Sequence, residues 1–194
     1  MRNPIATIYL ENEKRIVIEL LPDVAPNTVN SFIYAATNHI FDDHIIERIV
    51  PDNWIDMSYS GFHKSEGKYL IPYESDIHPE IEPLPSDFGC VCMGGYGDLG
   101  QAGCEFFFPL RPCPDHKGIY PVFGKVLEGI EELERIKSLE LEPLDLGLGY
   151  EINRSLEPQK IIKVEVELFG RDYPEPIRVE MKEMPKSWQL DMKE

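Results

Sequence analysis

Short runs of β-branched and aromatic residues recur along nearly all of this chain, each cut off by proline, glycine or a polar turn. Such runs make strands, because branched side chains pack well on a pleated surface. Ile5-Ala-Thr-Ile-Tyr-Leu10 and Arg15-Ile-Val-Ile-Glu-Leu20 flank the polar turn Glu11 to Lys14 and read as a hairpin. Further strands are expected at Ile45–Val50, from Trp54 to Tyr59, around Lys68–Ile71, at Cys90–Met93, Glu105–Phe108 and Tyr120–Val126, and from Lys160 to Phe169. Two stretches have helical spacing instead. After Pro26, with Asn27 as cap, Val29, Phe32, Ile33 and Ala36 share one helical face. From about Gly129 to Leu139, Ile130, Leu133 and Ile136 face the body, while Glu131, Glu132 and Glu134 point mainly outward. Many strands with two helices point to an antiparallel barrel or sandwich.

At 194 residues the chain suits one domain. Residues 60–88 read as a long polar loop, 94–103 as a glycine-rich one, and 171–194 as a C-terminal extension to a domain spanning 1–170. Ile177, Val179 and Met181 alternate within that extension and would suit an edge strand; the oligomeric state stays open. The formal net charge of −16 argues against nucleic-acid partners and anionic membrane surfaces, since both require clustered Lys and Arg. No apolar run reaches the roughly 20 residues of a membrane span, and the first residues lack the apolar core of a signal peptide, so a cytoplasmic location is expected. Cys90, Cys92, Cys104 and Cys113 are then expected as buried thiols, and their spacing lacks the paired C-x-x-C of a structural zinc site. The histidines show no i, i+4 ligand spacing, and no G-x-S-x-G marks a serine nucleophile.

Five segments, in order, are more specific. They are Val17-Ile-Glu-Leu-Leu-Pro-Asp-Val-Ala-Pro-Asn-Thr-Val-Asn-Ser-Phe32, Ile46-Glu-Arg-Ile-Val-Pro51, Met93 through Cys104-Glu-Phe-Phe-Phe108, Tyr120-Pro-Val-Phe-Gly-Lys-Val-Leu-Glu-Gly129, and Lys160 to Phe169. This ordered set resembles the cyclophilin-type peptidyl-prolyl cis-trans isomerases, in a divergent, bacterial-like form. The resemblance covers about residues 5–170. It implies a mainly β fold, a closed eight-stranded antiparallel barrel with two capping helices.

It also implies an enzyme that rotates Xaa-Pro bonds in protein substrates and assists folding, without metal or cofactor. An Xaa-Pro amide meets a rotation barrier of about 18–20 kcal/mol, while its two isomers differ by only about 0.5–1 kcal/mol. Catalysis therefore needs only a grip on the proline ring, a fixed peptide chain and a donor that stabilises the twisted amide. By resemblance Arg48 is the catalytic arginine, Phe107 a proline-pocket aromatic and Tyr120 a pocket wall; Trp54 aligns with the pocket Met or its neighbour. Strand alternation independently turns Phe107 away from Phe106 and Phe108.

The departures concern charge and shape. Glu47 replaces the family's His, and Pro51-Asp-Asn53 replaces Pro-Gly-Phe, removing one aromatic wall unless Trp54 supplies it. Asp56 stands for the glutamine that braces the arginine, and Glu105 for a substrate-facing glutamine. The segment Ser60 to Gly67 replaces a glycine-rich loop, and no Trp lies near Asp115-His116, which lowers the expected affinity for cyclosporin. The carboxylates have two opposite readings: they quench Arg48 and slow the enzyme, or they orient it. Paired carboxylates also suit a glycosidase, but nothing else in the chain suggests a sugar site. A second functional class follows from the same substitutions: a catalytically weak binding module for proline-containing or basic segments.

Overall fold

The opening hairpin forms as the alternation requires. In a computed structural model describing residues 2–58, 64–145, 147–149 and 152–192, β1 (Ile5–Leu10) pairs antiparallel with β2 (Arg15–Leu20). Ala6, Ile8, Ile16, Ile18 and Leu20 enter the core. Helix α1 (Pro26–Thr37) follows. Its N-cap is Ala25 rather than Asn27, because Pro26, with its fixed φ and no N–H to satisfy, takes the first helical turn. The missing cap bond comes from elsewhere: the buried Glu74 carboxylate accepts from the Thr28 amide at 2.6 Å and its hydroxyl at 2.7 Å.

Next come β3 (His44–Ile46), β4 (Arg48–Val50), β5 (Trp54–Asp56), β6 (Leu70–Ile71) and the one-turn helix α2 (Glu74–Ile77). They are followed by β7 (Cys90–Gly95), β8 (Gln101–Pro109), β9 (Val122–Glu128) and α3 (Ile130–Lys137). A small hairpin of β10 (Leu141–Leu144) and β11 (Ile152–Ser155) precedes β12 (Gln159–Glu167).

Among the described residues ten strands form one antiparallel sheet, ordered β3-β12-β1-β2-β9-β7-β8-β5-β4, with β6 attached to β8. The two end strands are consecutive in the chain, separated only by Glu47, so the sheet nearly closes on itself. Taking β3 and β4 as one strand kinked at Glu47, and leaving β6 aside, gives the expected eight-stranded ring. α1 plugs it: the buried Phe32 ring lies 5.2 Å from Phe41, 5.3 Å from Phe106 and 5.2 Å from Phe123. α3 buries Leu133 and Ile136. Glu132, expected outward, is instead buried against Asn12 and Arg135.

The expected polar loop holds the strand foreseen around Lys68–Ile71 as β6, and two further pieces of order that its composition does not suggest, a turn at Ser65–Gly67 and α2. Residues 60–63 of the segment Ser60 to Gly67 lie outside the described residues. The glycine-rich loop is shorter than expected, because β7 and β8 both run into it. Residues 171–185 are irregular rather than an edge strand. Pro174 and Pro176 remove ladder donors there, and the segment contacts β6 through one bond from the Val179 amide to the Leu70 carbonyl, 2.9 Å. All four cysteines are free and buried.

Candidate functional site

Strand register assembles a row of side chains. Arg48 on β4 lies opposite Asp56 on β5, Asp56 opposite Phe107 on β8, Phe107 opposite Cys92 on β7, and Cys92 opposite Val122 on β9. The neighbours one position along, Ile49, Ile55, Phe106 and Phe108, fill the barrel core. Phe107 instead packs with Cys90, Cys92 and Val122, against Trp54, Leu84 and Tyr120. One residue of strand period thus separates the core from the site face.

On that face lies a cavity of about 300 Å³ lined by Arg48, Trp54, Asp56, Glu105, Phe107 and Tyr120, the six residues singled out from the sequence. Gly94, Gly95, Tyr96 and His116 complete it. One end is aromatic. The Phe107 ring is 5.7 Å from Tyr120, 5.7 Å from His116 and 6.2 Å from Trp54, and His116 is 4.8 Å from Tyr120. Such tilted and edge-on contacts suit rings that present a concave apolar wall. Trp54 supplies the wall lost with Asn53, which turns away to accept from Arg111 at 2.6 and 3.0 Å. Burial and the nearby Arg111 charge hold His116 below the usual imidazole range, so at neutral pH it is another uncharged ring.

Beside this wall Arg48 ion-pairs with Asp56, both side chains largely enclosed. The guanidinium also lies 5.6 Å from the centre of the Trp54 ring. Burial pushes the Asp56 carboxyl up, against the pull of the Arg48 charge and of hydrogen bonds from Arg48 and Trp54. The arrangement offers an apolar grip next to a cation held by a carboxylate.

Another part of the lining, taken as its second end, is acidic. Glu105 is two residues from Phe107 on the same face of β8. Its Oε2 accepts from the Tyr96 hydroxyl at 2.6 Å, and its Oε1 accepts from Trp188 Nε1 at 2.6 Å. Tyr96, His116 and Trp188 were not singled out from the sequence. Tyr96 falls in a stretch that reads as a loop, and nothing in the sequence around His116 marks it as a pocket ring. Trp188 had one available signal: a large ring amid polar residues is seldom left in water. Among the described residues, no group of three or more His, Cys, Asp and Glu could hold a metal ion. No helix there is long and apolar enough to cross a membrane.

Comparison with known proteins adds four findings. The family model described as cyclophilin type peptidyl-prolyl cis-trans isomerase/CLD matches residues 5–166. The chain is 32% identical over 123 residues to peptidyl-prolyl cis-trans isomerase B of Bacillus subtilis, covering 63% of this chain and 82% of that one. It is 27% identical over 154 residues to the isomerase ppi1 of Schizosaccharomyces pombe, covering 77% and 90%. In fold it is similar to a Cryptosporidium parvum cyclophilin type isomerase crystallised in the presence of the dipeptide Ala-Pro. That match has a TM-score of 0.63 and 19% identity, and covers 84% of this chain and 98% of that one.

Proposed function

This chain belongs to the cyclophilin type peptidyl-prolyl cis-trans isomerase family, and from that premise we propose that its aromatic wall seats the proline ring while Arg48 stabilises the twisted amide. The protein is a peptidyl-prolyl cis-trans isomerase. The observation that carries the assignment of roles is the register row, which sets the Arg48 guanidinium beside the Phe107 pocket.

During rotation the amide loses conjugation and its nitrogen regains a lone pair. A donor aimed at that nitrogen binds the transition state more tightly than either planar ground state, which is all this reaction requires. Phe107, Trp54, Tyr120 and His116 hold the ring still while the acyl side turns. Asp56 fixes the guanidinium but draws on its charge, so the rate is attenuated relative to a neutral brace. Of the two functional classes open from the sequence, the enzyme is favoured over the weak binding module by the isomerase names of the relatives.

The substrates we assign are proline-containing segments of proteins during folding; the Ala-Pro dipeptide with the Cryptosporidium protein is consistent with this class. Four free thiols fit a reducing, cytoplasmic setting. The test is isomerisation of an Ala-Pro peptide by wild type and Arg48→Ala. The expected loss in kcat/KM is about a hundredfold, the scale of removing one aimed donor from a transition state. Equal rates would take the catalytic role from Arg48.

A further inference from the structure

The segment after β12 returns to the cleft along an anchored path. The Asn27 side chain holds the Ile177 backbone twice, donating to its carbonyl at 3.1 Å and accepting from its amide at 2.8 Å. The Arg178 guanidinium lies 4.1 Å from the centre of the Tyr69 ring and 4.6 Å from that of Tyr34. Farther on, Lys68 Nζ donates to the Trp188 carbonyl at 3.2 Å. Trp188 is 1% exposed, its ring edge-on to Tyr96 at 5.3 Å, and its indole N–H ends on the Glu105 carboxylate. Ser187 Oγ is 3.0 Å from the Tyr96 hydroxyl.

We propose that this tail is a working wall of the substrate cleft, in which Trp188 is a positioning residue that aims Glu105, and Glu105 selects segments bearing Lys or Arg about two residues from the proline. The inference rests on the aromatic end being the proline seat.

Three features carry it. First, Trp188 and Tyr96 are neutral donors, so their bonds orient the Glu105 carboxyl group without adding a charge of their own. Second, Glu105 lines the cavity two residues from Phe107 on one strand face, a spacing of roughly 7 Å. An extended peptide with its proline on Phe107 brings the side chain two residues away over Glu105. Third, the net charge of −16 draws cationic segments toward the protein, and a fixed carboxylate in the cleft gives that attraction a register.

The test uses the full-length protein and two peptides, Lys-Ala-Pro-Phe and Glu-Ala-Pro-Phe, with kcat/KM measured for each. Wild type is expected to favour the lysine peptide by about tenfold, the size of one hydrogen bond to a charged group. Glu105→Gln should bring that ratio close to one. Trp188→Phe keeps a ring and removes the N–H, and should cut the ratio to about a third of the wild-type value. Asn27→Ala loosens the tail far from the cavity and should cut it as well, which keeps the test decisive if Trp188→Phe does not fold.

An unchanged ratio in Asn27→Ala and in a folded Trp188→Phe would reduce the tail to packing and overturn the proposal. So would a wild-type ratio of one. Either result alongside turnover that falls in Phe107→Ala overturns the proposal alone, whereas turnover indifferent to Phe107→Ala would overturn the reading of the proline seat.

Discussion

At the aromatic end of the cavity, Trp54 and Phe107 stand on adjacent, paired strands, and Tyr120 lies just before β9. At the acidic end, Glu105 also stands on a barrel strand but is held by Trp188, 83 residues farther along. A wall made of paired strands inherits the rigidity of the barrel, because moving it breaks ladder bonds. A wall held by a tail inherits only its anchors, here Asn27, Lys68 and the Arg178 stack. The first kind suits a demand common to all substrates, the proline ring. The second suits a demand that varies, the residues around it.

Substitutions at the two ends should therefore differ in kind. Phe107→Ala empties the centre of the aromatic wall and should lower kcat/KM roughly a hundredfold, equally for lysine- and glutamate-containing peptides, since it removes a central anchor. A strongly unequal loss would break the division between the ends.

Asp56→Gln sharpens the account between them. Removing the carboxylate's pull on Arg48 should raise kcat/KM several-fold at neutral pH, about 1 kcal/mol in barrier. Because burial raises the Asp56 carboxyl, it takes up a proton at a higher pH than an exposed aspartate. The protonated acid resembles glutamine, so the two proteins should converge as pH falls through that raised value. A constant ratio across pH would assign the difference to shape.

The smallest effect is expected at His116. Its imidazole, held below the usual range, is neutral at pH 7 and gains charge only on acidification below about 6.5. Charging a ring in an apolar wall weakens the proline grip, so kcat/KM of Asp56→Gln, in which Asp56 no longer titrates, should decline about twofold or more on that limb. Adding His116→Phe should flatten it, and a limb that persists in the double variant would belong to another group.

Much of the aromatic end was legible in the sequence. Strand period alone set Phe107 against Phe106 and Phe108, and the ordered motifs put Arg48, Trp54, Asp56 and Tyr120 near it. The first is a local pattern fixed by two-residue alternation, and the second is what the family resemblance implies. What escaped were choices made by tertiary contact. The kink at Glu47 divides one expected strand into β3 and β4 where the ring closes. Asn27, with the composition of a cap, spends its side chain on the Ile177 backbone while Glu74 on α2 serves α1. α2 is a single turn, too short to show a period. Trp188 sits in a proline-broken stretch with no period, and its partner Tyr96 was hidden in an apparent glycine loop.

The claim that the two ends work separately is tested most directly by kcat/KM for Lys-Ala-Pro-Phe and Glu-Ala-Pro-Phe in Phe107→Ala and Trp188→Phe, measured side by side with wild type. The account predicts that Phe107→Ala lowers both values and keeps their ratio, while Trp188→Phe changes the ratio far more than the mean. Ratios that move together in both variants would contradict it.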